Sequence, residues 1–280
     1  MHSAILSDGH LITANQYYPE KHGVILYCMD QSCKVPVHYV KGDATNTPHF
    51  KTSGKGESIH KESCGFAKKL SFKETVSKVS EYQESISEQG IREFLVKLNM
   101  DKIDPDYVPK EAPVKDTEKE KKPPKEIDEK LLKEKPEVAS SLSSLKSIKK
   151  LFQSVSPDLL ASIIISIKGN RIPISKLICH YQDAHQLFWE GDTFDVPYFV
   201  YGIVEKVTRR EKVWYINLSS KDYYFTLVIF EKYFKHFTYR DEDLLNHEIL
   251  ATGYLRKNEF QKDKPSTEMV IKSDKYIEFL

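Results

Sequence analysis

The sequence predicts a multi-domain α+β protein with a small β-rich module at its N-terminus, a helical middle interrupted by a charged linker, and a five-stranded β-barrel at its C-terminus. Three observations predict this order. Three cysteines and three histidines fall within residues 28–64. Apolar side chains then recur at helical spacing, and a Pro- and Lys/Glu-rich stretch follows. Finally, five runs rich in β-branched and aromatic residues occur after residue 197, as expected for strands.

Composition limits the classes of function. A chain of 280 residues with 40% apolar content can form about two domains. The formal net charge is only +1, so affinity for nucleic acid has to come from local patches. We find neither an apolar run long enough to span a membrane nor a signal peptide at the start. We therefore expect a soluble, cytoplasmic protein with no membrane partner.

The N-terminal cysteines are spaced for metal binding. Cys28 and Cys33 are separated by four residues, and Cys64 follows downstream. Structural zinc sites use four Cys or His ligands, commonly contributed in pairs. Three residues separate His60 from Cys64, and His49 offers an alternative fourth ligand. The sequence predicts a zinc-binding module at residues 1–67, because small units of this size rarely fold without such a constraint.

This segment also resembles the zinc-binding N-terminal region of the CoiA-type competence proteins. The likeness lies in Asp8-Gly9 followed by Ala14, in the cysteine pair, in Lys41-Gly42 and in His49-Phe50. The cysteines here are four residues apart where the family has two, and Lys51-Thr52 follows Phe50. The resemblance favours His49 as the fourth ligand, and it implies a role in bacterial DNA processing or defence.

The middle of the chain divides into three predicted segments. Residues 68–103 carry a helical stripe that starts at Phe72 and stops at Gly90, with a second short helix over 91–98. Residues 104–139 contain six prolines and blocks of Lys and Glu, which predicts a disordered charged linker. Residues 140–192 are predicted to form three short helices, one of them starting at Ser156-Pro157 and ending near Lys168.

The C-terminal domain, residues 193–280, contains the five predicted strands. Gly202 and Gly253 lie where strands of a barrel bend. Between the third and fourth strands the spacing becomes helix-like over 231–245. The five strands span residues 198–207, 213–218, 223–230, 248–256 and 268–277.

Five strands with a helix after the third is the order of an oligonucleotide-binding (OB) fold. The runs also resemble the OB domains of the nucleic-acid-binding superfamily, which are accessory modules in exonucleases, helicases and tRNA synthetases. The matching residues are 200–204, 215–218, 225–230, 251–255 and 277–278. The resemblance implies a barrel that binds nucleic acid.

OB domains hold single strands on the face of strands 2 and 3, with aromatic rings that stack on bases and cations that contact phosphates. Alternation places Ile216 and Leu218 in the core and Tyr215 outside. Tyr223 or Tyr224 is expected beside Tyr215, and cations lie in the loops after strands 1 and 4. The candidate nucleic-acid-binding residues are Arg209, Arg210, Lys212, Tyr215, Tyr224, Arg256, Lys257, Lys262 and Lys264.

An enzyme is not predicted. The sequence has no phosphate-binding G-x-x-x-x-G-K, no G-x-S-x-G and no H-E-x-x-H. A zinc site with four Cys and His ligands is closed and therefore structural. We expect a non-enzymatic protein that binds single-stranded DNA or RNA, with the zinc module as structure or second contact. The alternative is an adaptor whose OB domain binds a partner protein in a repair or defence complex.

Overall fold

A computed structural model describes residues 1–43, 46–91, 93–108, 140–218, 224–258 and 265–280; for Ser140 and Tyr224 it describes only the backbone. The chain divides into two compact units. The first contains Met1–Val96 and Lys149–Leu177; the second contains 97–108, 140–148 and Ile178–Leu280. No helix within these ranges is long and apolar enough to cross a membrane.

An antiparallel sheet begins the first unit and confirms the predicted β-rich module. Its strand order is β2-β1-β3-β4-β5, and a single-turn helix, α1, lies at Pro19–His22. The core of this module is formed by fully buried residues such as Ala4, Leu26 and Phe50. The strands are β1 (Ser3–Leu6), β2 (Leu11–Thr13), β3 (Leu26–Cys28), β4 (Pro36–Val40) and β5 (His49–Lys51).

Helix α2, Phe72–Glu88, confirms the predicted helical stripe. Its buried side includes Val79, Tyr82 and Ile86, which recur at the three- and four-residue spacing of one helical face. A capping box begins the helix. The Ser71 hydroxyl accepts a hydrogen bond from the Glu74 N–H, and the Glu74 carboxylate accepts one from the Ser71 N–H. Gly90, with φ of 64°, follows the end of the helix.

Ser71→Ala removes half of this capping box. We expect it to lower the free energy of unfolding by about 1 kcal/mol, because one backbone N–H at the helix start loses its acceptor. Urea denaturation followed by circular dichroism measures this change. Ser80→Ala, on the exposed side of α2, is the matched control and should leave the midpoint unchanged. Equal midpoints for both variants would contradict a stabilising cap.

The predicted short helix over residues 91–98 is wrong. Phe94–Leu98 forms strand β6, in which Phe94, Val96 and Leu98 are buried and the two residues between them are exposed. Alternation with a period of two is typical of a strand that is buried on one face. An apolar run this short fits both helix and strand periodicity, which is why the sequence pattern did not separate them.

Residues 140–192 contain more strand than predicted. The helix that begins at Pro157 ends at Ala161, and the Ile-rich run after it pairs with residues 170–173 as an antiparallel hairpin. Lys168 and Gly169, both at positive φ, form the turn. The elements are β7 (Ser140–Leu142), α3 (Leu145–Ser154), α4 (Pro157–Ala161), β8 (Ile163–Ile167), β9 (Asn170–Pro173), α5 (Ile174–Leu177), β10 (Ile178–His180) and α6 (Tyr181–Glu190).

The second unit contains the predicted barrel strands as two sheets. One has the order β10-β11-β15-β18 and the other β12-β13-β14-β17-β16. Strand β14 runs parallel to β17, and β11 runs antiparallel to β15. The strands are β11 (Tyr198–Ile203), β12 (Lys206–Arg209), β13 (Val213–Asn217), β14 (Tyr224–Phe230), β15 (Glu248–Gly253), β16 (Leu255–Lys257), β17 (Ser266–Val270) and β18 (Ile277–Phe279).

The strand boundaries correct the sequence prediction at three places. The first predicted strand breaks at residues 204–205, and the fourth breaks at Tyr254. The fifth ends at Val270, and Ile277 belongs to a separate strand in the other sheet. In the predicted helical stretch, Glu231–His236 is a 3-10 helix and Asp241–Leu244 a single α-turn, α7. The closed five-stranded barrel thus remains a prediction.

Close packing explains the two glycines. A Cβ on Gly202 would lie 2.7 Å from the ring of Tyr181, and one on Gly253 would lie 2.6 Å from Met269 Cγ. Both glycines lie within strands near their ends, so each permits a neighbouring side chain to approach the backbone closely.

The predicted linker begins inside described structure. Residues 104–108 are described, and Asp104 and Asp106 contact Lys272 at 2.7 and 3.2 Å. Asp106 also accepts a hydrogen bond from the Tyr233 hydroxyl. These contacts hold the pKa of Asp106 down at about 2, through the Tyr233 hydrogen bond first and then through Lys272. The rest of the predicted linker, 109–139, lies outside the described residues.

Candidate functional site

The structure brings together four of the predicted metal ligands in the first unit. Cys28 ends strand β3, Cys33 follows the next turn, and His60 and Cys64 come from one turn after β5. The ligand atoms of all four residues lie within 4.8 Å of one another. The three thiols are buried and His60 is half-buried.

Three of the six ligand-to-ligand distances match those of a tetrahedral zinc site. Zn–S and Zn–N bonds of standard length give edges of about 3.8 Å between two sulfurs and about 3.5 Å between sulfur and nitrogen. The Cys28 and Cys64 sulfurs are 3.7 Å apart. Nδ1 of His60 lies 3.5 Å from the Cys33 sulfur and 3.4 Å from the Cys64 sulfur. The four side chains therefore fit a zinc ion with little rearrangement.

The protonation of these groups also suits a metal. The hydrogen bond from Cys28 lowers the pKa of the Cys64 thiol to about 7, which favours the thiolate that zinc binds. Sharing that proton, together with burial, raises the pKa of Cys28. Burial lowers the pKa of His60, and this keeps the imidazole in the neutral form that a metal requires.

Asp30 joins the two ligand pairs to helix α2. Its carboxylate is fully buried, and one oxygen accepts hydrogen bonds from the Gly65 N–H at 2.9 Å and the Tyr82 hydroxyl at 2.6 Å. The same oxygen lies 2.9 Å from Nζ of Lys78. The other oxygen accepts from the N–H and hydroxyl of Ser32, at 2.9 and 2.6 Å.

Burial alone would raise the pKa of Asp30, but the hydrogen bonds from Ser32, Tyr82, Gly65 and Lys78 outweigh it and hold the pKa well below its usual value. The carboxylate therefore stays charged while it orients the segment around Cys64. Asp30 is not among the site residues predicted from the sequence. Its position between two cysteines is the only sequence signal, because Gly65 and Tyr82 lie 35 and 52 residues away.

The structure does not bring His49 into the metal group. His49 opens strand β5, opposite Val40, and its Nδ1–H donates to the carbonyl oxygen of Thr47 at 3.0 Å. Of the two alternatives that the sequence left open, the geometry selects His60.

The second candidate site lies on the sheet with the order β12-β13-β14-β17-β16. Ile216 and Leu218 are buried, and the alternating residues Tyr215 and Asn217 are half-buried, so Tyr215 points away from the core as predicted. On the same side as Tyr215, one row of paired residues includes a residue from each of the five strands. We call this side the outer face; it consists of Lys206, Tyr215, Asn217, Thr226, Glu268 and Arg256.

Two of the predicted cations, Arg210 and Lys212, flank the outer face. A third, Arg209, is bonded to other residues of the same domain. The guanidinium of Arg210 lies 5.7 Å from the ring centre of Tyr215. Lys212, in the same loop, is exposed. Arg209 instead bonds to Asp241 at 2.6 Å and to the carbonyl oxygen of Tyr239 at 2.7 Å. Arg209 therefore stabilises the domain and is poorly placed to contact a phosphate.

An acidic residue also lies on the outer face. Arg256 pairs with Glu268 at 3.8 Å across β16 and β17, and burial raises the pKa of Glu268. Lys257 is exposed, with its Nζ 4.8 Å from the ring centre of Trp189. Lys262, Lys264 and the side chain of Tyr224 lie outside the described residues.

Comparisons with known proteins assign no family. No family model matches the chain, and no curated protein matches it. Two solved structures from Entamoeba histolytica show a partial likeness, the aspartyl-tRNA synthetase at 13% identity with a TM-score of 0.23 and the asparaginyl-tRNA synthetase in complex with asparaginyl-adenylate at 15% and 0.22.

These matches cover 32% and 38% of this chain but only 19% and 24% of the synthetases. The chain thus spans about a fifth to a quarter of the length of those proteins. Likeness at this level assigns neither a fold nor a function to the chain.

Proposed function

We propose that this protein binds single-stranded nucleic acid on the outer face of a C-terminal OB barrel and that it has no catalytic activity. The strand connections support the barrel. Only two residues separate β11 from β12, so these two segments correspond to the first predicted barrel strand. Only one residue separates β15 from β16, which together correspond to the fourth. The five predicted strands are then neighbours in the order first, second, third, fifth, fourth, and the fourth pairs with the first through β15 and β11. This is the strand order of an OB fold.

The observation that carries this proposal is the pairing of Tyr215 with Arg210 at the edge of the outer face. A partly exposed ring beside a guanidinium is a combination that single-strand binding proteins use, because the ring stacks on a base while the cation contacts a phosphate. Lys206 and Lys212 are exposed nearby. These groups lie on β12, on β13 and in the loop between them.

We expect modest affinity. Arg209 is occupied by Asp241, and Arg256 is partly neutralised by Glu268. Among the described residues of this domain, the proposal relies on four other exposed cations: Arg210, Lys206, Lys212 and Lys257. Each phosphate contact adds a salt-dependent increment to the binding free energy, and a stacked base contributes about 1 to 3 kcal/mol to it.

The zinc site has a structural role in this proposal. Four Cys and His ligands leave no open coordination position, so the ion would stabilise the module and not activate water. The setting in bacterial DNA processing or defence rests on the N-terminal resemblance alone and remains a prediction, as does a cytoplasmic location.

The alternative function is a protein-binding adaptor. The acidic Glu268 on the outer face favours it, because a carboxylate repels phosphate. Residues 198–280 are also nearly balanced in charge, with 14 basic and 13 acidic side chains. In that case neither single strands nor duplexes would bind.

Fluorescence anisotropy with labelled single-stranded DNA, single-stranded RNA and duplex DNA tests the proposal. We expect the full chain to bind a single strand more tightly than the duplex. Tyr215→Ala should weaken binding about fivefold to a hundredfold, which corresponds to the loss of one stacked base. Tyr215→Phe keeps the ring and should bind like the wild type. Equal affinity of Tyr215→Ala and wild type would exclude this face.

A further inference from the structure

Trp189 is a partly exposed aromatic residue outside the predicted binding residues. It lies in the last turn of α6, and 38% of its surface is exposed. The chain has two tryptophans. The other, Trp214, is covered on both sides, by Phe234 at 3.9 Å with nearly parallel rings and by the Arg209 guanidinium at 4.1 Å.

The barrel holds the Trp189 ring in a fixed orientation. Its indole N–H donates to the hydroxyl of Thr267 at 3.1 Å. Thr267 is the second residue of β17 and is fully buried. The same hydroxyl lies 2.9 Å from Nδ1 of His185, one turn earlier in α6. A ring with this anchor can stack on a base with little loss of conformational entropy.

A cation lies beside this ring. The Nζ of Lys257 lies 4.8 Å from the ring centre, and Lys257 pairs with Thr267 across β16 and β17. Arg256, the preceding residue, has a side chain that is 55% exposed. Tyr215 and Arg210 repeat the same arrangement at the other end of the sheet. Lys257 and Thr267 alternate with Arg256 and Glu268, so they lie on the opposite side of the sheet from the outer face. The last strand of the sheet, β16, therefore carries one cation on each side.

We propose that Trp189, with Lys257, forms a second base-stacking subsite for single-stranded nucleic acid. The inference rests on the proposed function and specifies how far the bound strand extends. A base stacks on the indole, and Lys257 moves from the ring to the neighbouring phosphate. A strand that crosses the outer face from Tyr215 to Arg256 passes around β16, the last strand of the sheet, to reach Trp189 near the start of β17.

Intrinsic fluorescence tests this subsite, because Trp189 and Trp214 are the only indoles. The full chain, Trp214→Phe and Trp189→Phe are titrated with oligothymidylate of about 12 nucleotides, a length within the range that one OB domain covers. We expect quenching in the wild type and in Trp214→Phe, and none in Trp189→Phe. Quenching that persists in Trp189→Phe would overturn the proposal.

Affinity gives a second readout. Trp189→Ala should weaken anisotropy-detected binding about fivefold to a hundredfold, the effect of one stacked base, whereas Trp189→Phe should stay within about threefold because phenylalanine also stacks. Tyr107→Ala removes another exposed ring of the second unit and should not change binding. Circular dichroism verifies that each variant is folded.

The outcomes separate the two proposals. If the wild type binds the oligonucleotide while Trp189→Ala binds equally well, the Trp189 subsite is wrong and the proposed function stands. If the wild type does not bind at low salt, the proposed function fails and the subsite fails with it.

Discussion

Cys64→Ser is expected to abolish stoichiometric zinc binding and to unfold much of the N-terminal module. Cys64 is within hydrogen-bonding distance of both Cys28 and His60, so its loss leaves three ligands and an open site. Because structural zinc contributes about 10 to 16 kcal/mol in small zinc-finger peptides, even a fraction of that value exceeds the stability of a small module. Elemental analysis of the purified protein and thermal unfolding with and without a chelator measure the effect.

Two histidine variants form the control for this result. His60→Ala should lose zinc like Cys64→Ser, whereas His49→Ala should retain one zinc per chain, because His49 is bonded to Thr47 outside the metal group. Loss of zinc in His49→Ala, or retention in His60→Ala, would contradict the ligand assignment.

Asp30→Ala is expected to lower the free energy of unfolding of the first unit by about 3 to 5 kcal/mol, the typical cost of leaving a buried charge without its partner. The substitution removes the acceptor of the Tyr82 hydroxyl and the Gly65 N–H. It also removes one of the two carboxylates that pair with Lys78, so that only Glu81 remains. Urea denaturation with zinc present measures the change. Asp8→Ala removes an exposed carboxylate in the same unit and should change stability by no more than about 0.5 kcal/mol.

The effect of Asp30→Ala should also depend on pH. The pKa of Asp30 is lowered in the folded state, so its contribution is fully present above the unfolded-state pKa of about 4. It is lost as the pH falls through the folded-state pKa. The difference in stability between wild type and Asp30→Ala should therefore be constant near neutral pH and shrink below about pH 4. A difference that grows on acidification would contradict the role of a charged Asp30.

The N-terminal site was largely predictable from the sequence. Spacing identified Cys28, Cys33 and Cys64, because zinc requires paired ligands on short turns. It could not choose between His49 and His60, since the choice depends on how the chain returns after β5. Asp30 was unpredictable for a similar reason: its partners are distant in sequence and meet it only after α2 packs against the module.

The strands of the C-terminal domain were predicted in the correct order, since β-branched and aromatic runs are a local signal. The sequence did not predict which cations are available to contact a phosphate. Arg209 is paired with Asp241, 32 residues later, and only the fold shows this. The Ile163–Ile167 strand was missed because a helix-start signal at Pro157 outweighed three consecutive isoleucines and the Gly169-Asn170 dipeptide, although both are typical of a hairpin.

The salt dependence of single-strand binding by the full chain tests the central claim most directly. With two to four phosphates contacted, a plot of log affinity against log salt should have a slope of roughly −1.5 to −3. Arg210→Ala combined with Lys212→Ala should make the slope shallower by about one unit or more, whereas Lys275→Ala should leave it unchanged. Failure of the full chain to bind, or affinity that does not change with salt, would contradict strand binding by the outer face.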